Sequence, residues 1–290
     1  LIKGGSWIST GNEATRHARY AFRRHFYQHA GFRYIESDQL VELRNDVYET
    51  DQALTMYAEF HFGSDYFGVT NFPKRCAEIC LELMKDRPKR KALDIGCATG
   101  RLTFELAAQF ESVTGLDFSA RFIQLAVDLV NKGHIQYALI EEGELESYHE
   151  KQLADFGLEE ARKRVEFYQA DACNLKPIYT GYDLVVANNL IDRLYSPRRF
   201  LRMIHERINP GGLLVITSPY TWLEAHTEKA EWLGGFKRDG ENVTTLDALS
   251  EILGEHFVNL GEVQDIEFVI RETARKFQHN ISQLTVWERK

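Results

Sequence analysis

Asp94, Gly96, Gly100 and Asp117 have the types and spacing to grip a nucleoside. The run Ala92–Ile95 is apolar apart from Asp94, and it closes in the small-residue turn Gly96-Cys97-Ala98-Thr99-Gly100. A helical pattern then opens at Arg101, with Leu102, Leu106, Ala107 and Phe110 on one face. Small residues let backbone approach a ligand closely, and a helix start offers unpaired N–H groups. Twenty-three residues after Asp94, the apolar run Val113–Leu116 ends in Asp117. An acid at that strand tip can hold a ribose diol. Pyrophosphate is disfavoured, because no third glycine completes G-x-G-x-x-G and Asp94 ahead of the turn suits a cation. The bland alternative is a strand–turn–helix whose small residues serve packing only.

The elements that must position these residues alternate along the chain. Strand-like runs lie at Lys91–Ile95, Ser112–Asp117, Val165–Gln169, Tyr182–Ala187 and Leu213–Ser218. Helical runs lie at Arg101–Phe110, Ala120–Asn131, Pro197–Ile208 and Thr245–Glu255. Phe257–Ile270 and Ile281–Arg289 read as a closing antiparallel hairpin. The pattern predicts an α/β fold: a Rossmann-like sheet of seven strands with helices on both faces, its five alternating strands parallel and its closing hairpin antiparallel. Residues 37–88 read as an N-terminal helical cap. Residues 132–164 are longer than a crossover needs and read as an insertion before strand three, with a strand (Ile135–Ile140), an acidic turn and a helix (Lys151–Arg164). Asn188 leaves strand four at the carboxyl edge, where such sheets bind ligands.

The net charge is −8 without a long basic run, which argues against nucleic-acid binding. No stretch of about 18 apolar residues predicts a membrane span. Leu1-Ile2-Lys3-Gly4-Gly5 carries neither a signal-peptide core nor an initiator Met, as expected of a fragment or processed chain. The four cysteines, Cys76, Cys80, Cys97 and Cys173, lack zinc spacing and read as free thiols of a reducing cytoplasm. Cys97 reads as a small filler of the turn. No metal site is expected. His25 and His29, four apart, read as packed or surface histidines.

The order of acid, glycine turn, second acid and third-strand acid resembles class I methyltransferases. That resemblance implies S-adenosylmethionine as cofactor. It places Asp94, Gly96, Cys97, Ala98 and Gly100 around the donor, with Asp117 and Phe118 at the ribose. Asp171 would accept from the adenine amino group and the Ala172 N–H would meet the ring. Asn188 would reach the amino-acid portion or the acceptor. Tyr57 and Arg75, with Tyr48 and His61, would close over the site from the cap.

A narrower resemblance lies in Phe118–Ile123, Glu141–Leu145, Thr217–Glu224, Trp232–Gly235 and Ile270–Gln278. These stretches resemble the C-terminal methyltransferase of ovothiol biosynthesis, the 4-mercaptohistidine N-methyltransferase. Residues 1–36 resemble the tail of a formylglycine-generating-enzyme-like domain, part of the sulfoxide synthase that precedes it. The resemblance implies methyl transfer to an imidazole ring nitrogen of thiohistidine, with no sulfur insertion by this chain and a sulfoxide synthase domain or protein as partner. Acceptor-site candidates are Tyr220, Trp222, Asn189, Asp192, Arg193, Arg271 and Lys276. No general base is assigned. The alternatives are methyl transfer to another small imidazole, thiol or selenol, a non-catalytic S-adenosylmethionine-binding module, and a dinucleotide oxidoreductase.

Overall fold

Successive residues of each apolar run bury opposite faces, which a sheet covered on both sides by helices accommodates. In the computed structural model Ala92 packs into one core and Leu93 into the other. The structure describes residues 47–290 and the backbone of a short ribbon, β1 (Ile2–Lys3) with β2 (Arg19–Tyr20). The remaining expectations for residues 1–46, including His25 and His29, lie outside the described residues.

Two capped helices come first. Thr50 accepts the Ala53 N–H to start α1 (Asp51–Phe62), and Asn71 accepts the Lys74 N–H to start α2 (Phe72–Leu83), with Pro73 in its first turn. Then follow β3 (Lys91–Ile95), α3 (Arg101–Ala107), β4 (Ser112–Asp117) and α4 (Ala120–Lys132). The hairpin β5 (His134–Glu142) and β6 (Leu145–Gln152) intervenes before β7 (Val165–Gln169). Next come β8 (Tyr182–Asn188), α5 (Pro197–Met203) and β9 (Ile208–Ser218). A small ribbon, β10 (Phe236–Arg238) with β11 (Glu241–Val243), leads to α6 (Thr245–Leu253). The long strands β12 (Phe257–Thr273) and β13 (Lys276–Arg289) complete the described chain.

The main sheet has seven strands in the order β12-β13-β9-β8-β3-β4-β7. The pairs from β9 to β7 are parallel, whereas β13 runs antiparallel to both β9 and β12. One core gathers α1 to α4 with β5, and the other gathers α5 and α6. The ends of β3, β4, β8 and β9 and the residues following β7 therefore share one edge. Among the described residues, no helix is long and apolar enough to cross a membrane.

Three expectations need correction. The helix expected over 151–164 is absent: β6 runs to Gln152, and two 3-10 turns follow at Leu153–Phe156 and Glu159–Arg164. Gly143, at φ +59°, reverses the chain so that the polar β6 pairs with β5. The helix expected to reach Ile208 ends at Met203 in α5, and Ile208 already pairs with Tyr182. The closing hairpin is longer than expected, with pairing out to Thr273 and Lys276, well past the Gln283–Ser218 pair where β13 leaves β9.

Candidate functional site

Asp94 and Asp117 lie on the neighbouring strands β3 and β4 and Asp171 just past β7, but their surroundings differ. Asp94 is buried, 1% exposed, and accepts a hydrogen bond from Thr103 Oγ1 at 2.7 Å. Burial pushes its carboxyl up to about 7, against the hydrogen bond from Thr103. Asp117 is half-buried at the tip of β4. Its Oδ2 accepts the Ala98 N–H at 2.9 Å and its Oδ1 the Ser119 N–H at 2.8 Å, so it fastens the glycine turn to the start of α4. Asp171 is buried and accepts from the Cys173 N–H at 2.8 Å and from the Tyr195 hydroxyl at 2.9 Å. Ala172 packs beneath it in the core of α5 and α6.

The two glycines have different tasks. Gly96, at φ +77°, lies under Leu190, whose Cδ1 would stand 3.0 Å from an added Cβ. Gly100, at φ +93°, makes room for the Phe167 ring, which would stand 2.6 Å from one. A side chain at Gly100 would therefore collide with the Phe167 ring. Cys97 is buried and its thiol is pushed up by burial, as a filler's would be. Ala98 holds φ +45° in the turn, and Phe118 lends its carbonyl to the Gln169 amide at 2.9 Å.

The cap reaches the turn through α1. Thr99 Oγ1 donates to the Tyr57 carbonyl at 3.3 Å. The Arg101 N–H, first of α3, donates to His61 Nδ1 at 3.3 Å. Tyr57 stacks obliquely on Phe122, centroids 4.9 Å apart, and Tyr48 lies edge-on to both. Burial raises both tyrosine hydroxyls, and the Arg193 guanidinium beside Tyr48 opposes the rise. Tyr48, Tyr57 and Arg193 thus lie together, with the Asp117 charge near enough to act on both hydroxyls. Arg75 does not join them: it is exposed on α2 and pairs with Glu78 at 3.3 Å.

Of the acceptor candidates, Asn188, Asn189 and Tyr220 stand at the exits of β8 and β9. Asn188 Oδ1 accepts from Thr217 Oγ1 at 3.2 Å. Asn189 (φ +48°) and Tyr220 (φ +53°) are both left-handed non-glycine residues, a costly conformation that clusters at functional sites. The Tyr220 hydroxyl donates to Gln283 Oε1 at 3.0 Å, and burial pushes it up to about 12. Asp192 is fully buried, and its carboxylate accepts from Ser218, Thr221 and Arg193, which makes it an internal tie.

Three candidates stand elsewhere. Trp222 is buried beside Trp232 with its Nε1 donating to Thr245 Oγ1 at 3.0 Å, so its ring is core. Lys276 pairs with Glu272 near the hairpin tip, its side chain 69% exposed. Arg271 donates to Glu141 Oε1 at 2.7 Å and so joins β12 to β5.

A polar cluster that the sequence did not reveal lies beside Arg271. Glu59, 4% exposed, accepts the Tyr66 hydroxyl at 2.6 Å and the Tyr137 hydroxyl at 2.5 Å. It joins α1 to the β5–β6 hairpin. No spacing in the chain signals this pairing, because Tyr137 is 78 residues from Glu59. Among the described residues, no three potential metal ligands come together.

Comparison with known proteins decides the family. A family model described as a methyltransferase domain matches residues 69–256. The chain belongs to that family. S-adenosylmethionine is the cofactor of this methyltransferase fold. The malonyl-[acyl-carrier protein] O-methyltransferase of Halalkalibacterium halodurans is 27% identical over 185 residues, 58% of this chain and 57% of that protein. The trans-aconitate 2-methyltransferase of Deinococcus radiodurans is 27% identical over 168 residues, 54% of this chain and 52% of that protein. The chain thus spans little more than half the length of these two relatives. The crystal structure of the [4+2]-cyclase SpnF aligns with a TM-score of 0.51 at 16% identity, covering 82% of this chain and 93% of that one. That is a likeness of fold alone, and folds host unrelated chemistries.

Proposed function

We propose that this methyltransferase moves a methyl group from S-adenosylmethionine to a ring nitrogen of 4-mercaptohistidine (5-thiohistidine), in ovothiol biosynthesis. The observation that supports the donor half is the set of carboxylates Asp94, Asp117 and Asp171 at or just past the ends of neighbouring strands, with Asp117 bonded to the glycine turn. S-adenosylmethionine supplies an electrophilic methyl group on a sulfonium. Asp117 suits the ribose diol and Asp171 the adenine amino group, while ionised Asp94 favours a cation nearby. The acceptor half rests on the resemblance in Thr217–Glu224, Trp232–Gly235 and Ile270–Gln278.

In the reaction the ring nitrogen forms a bond to the methyl carbon as the carbon–sulfur bond breaks. The sulfur departs as a neutral thioether, and any ring proton passes to solvent or a base. The protein's part is to hold nitrogen and methyl in line at about 3–3.5 Å and to exclude water. Residues 37–88 then act as a cap and 132–164 as a wall beside it. We assign residues 1–36 to the tail of an upstream sulfoxide synthase domain, and the whole to the cytoplasm.

Calorimetry with S-adenosylmethionine tests the donor half; a folded sample without binding ends the proposal. Offering 5-thiohistidine, histidine, an ergothioneine-like thiol and a dicarboxylic acid side by side, with mass spectrometry of the products, tests the acceptor. O-methyl transfer is the second reading, favoured by the name of the malonyl-[acyl-carrier protein] relative. Methylation of the acid alone would establish it.

A further inference from the structure

A thiohistidine acceptor poses a problem of selectivity. Its thiolate is a stronger intrinsic nucleophile than its ring nitrogen, so a site that methylates nitrogen must restrain the sulfur. The exit of β8 carries a group built for that. Asn189 is held left-handed at φ +48°. Its N–H is fixed by the Thr217 carbonyl at 2.9 Å. Its side-chain Oδ1 receives the Ser282 hydroxyl at 2.6 Å and shares the single Thr217 hydroxyl proton with Asn188 Oδ1, the two acceptors lying 3.1 and 3.2 Å from Thr217 Oγ1. Both hydroxyl residues are fully buried. The oxygen end of the amide is therefore committed to β9 and β13, and the rotamer is locked. What is left to present is the Nδ2 amino group, a donor of two hydrogen bonds on a half-buried residue next to Asn188.

We propose that Asn189 Nδ2 donates to the thiolate of the acceptor, holding sulfur off the methyl line and leaving the ring nitrogen in it, with Ser282 and Thr217 as positioning residues. The inference rests on the thiohistidine reading. An N–H donor is matched to an anionic sulfur, and hydrogen bonds to charged groups are the stronger ones. A locked donor selects between two nucleophiles on one ring because a small misplacement is costly in an in-line displacement.

The test uses the full chain with Asn189→Gly, Asn189→Asp, Ser282→Ala and Ser282→Thr. Glycine accepts the left-handed backbone and removes only the amide. The ratio of N-methyl to S-methyl thiohistidine is measured by mass spectrometry. Binding of 5-thiohistidine to protein loaded with S-adenosylhomocysteine is measured by calorimetry. Asn189→Gly and Ser282→Ala are expected to shift the ratio toward sulfur by about tenfold and to weaken acceptor binding by a similar factor, with S-adenosylhomocysteine affinity nearly unchanged. Asn189→Asp is expected to bind the acceptor more weakly than Asn189→Gly, and Ser282→Thr to restore the wild-type ratio. A wild-type ratio and affinity in folded Asn189→Gly overturn the inference while the thiohistidine reading stands. Tight acceptor binding by Asn189→Asp also overturns it, since the oxygen end would then face the acceptor. A wild-type protein that binds S-adenosylhomocysteine but methylates no thiohistidine overturns both.

Discussion

His61 and Arg101 join α1 to the helix that follows the glycine turn: the imidazole Nδ1 of one accepts the backbone N–H of the other at 3.3 Å. Burial, with the Arg101 charge adding to it, pushes the His61 imidazole down to about 3, so the ring is a neutral acceptor. Replacing His61 by Phe leaves the buried N–H unmatched and is expected to cost about 1–3 kcal/mol at pH 8. The depressed value also fixes a pH dependence. Stability from neutral His61 is complete above its ordinary 6.5 and is lost as pH falls toward about 3. Urea unfolding at several pH values should show a shallower acid limb in His61→Phe than in wild type.

Asp94 works in the opposite sense. Its ordinary value is 3.8 and its folded value about 7. The protonated carboxyl therefore contributes stability that is complete below 3.8 and lost as pH rises to about 7. Asn keeps an acceptor for Thr103 and cannot ionise. Asp94→Asn is thus expected to gain stability over wild type at pH 8 and to lack the decline between pH 4 and pH 7. Parallel denaturation curves for the two proteins across that range would contradict the assignment.

Asp117 is the proposed ribose contact, and it fastens the turn through the Ala98 and Ser119 N–H groups. Asp117→Ala should weaken S-adenosylmethionine binding by about tenfold to a hundredfold, the worth of a hydrogen bond to a charged group. Asp117→Asn should fall between the two. Titration calorimetry reads both, and equal affinities across the series would remove Asp117 from the site.

Glu59 is the buried tie between the cap and the insertion hairpin. Glu59→Ala is expected to destabilise the protein by about 1–3 kcal/mol, since two tyrosine hydroxyls lose their acceptor. A double-mutant cycle with Tyr137→Phe should give a coupling of about 0.5–3 kcal/mol; additivity would mean the contact is energetically idle.

Much of the architecture was legible because apolar runs long enough to cross a sheet leave few other arrangements. Ala92–Ile95, Val113–Leu116 and Tyr182–Ala187 announce themselves in this way, and Asp94 and Asp117 are found from the first two. What failed to show has physical causes. β6 is Leu-Glu-Ser-Tyr-His-Glu-Lys-Gln, with no apolar alternation, and it is held by backbone pairing to β5, whose Ile135, Tyr137 and Leu139 pay the burial. Arg75 lies in a stretch correctly read as helical, but the face it occupies is set by tertiary packing. Trp222 follows the strand exit as expected, yet its indole N–H finds Thr245 and its ring enters the core. Ser282 carries no local mark at all, because its partner Asn189 is 93 residues away.

The placement of β13 between β9 and β12 has a consequence for biosynthesis. Until residues 276–289 leave the ribosome, the β9 margin has no neighbour on that side, and Asn189 lacks one of the two hydroxyls that orient it. Nascent chains stalled short of that strand should expose an adhesive border that chaperones recognise, and the Asn189 amide should become fixed only once that strand has arrived.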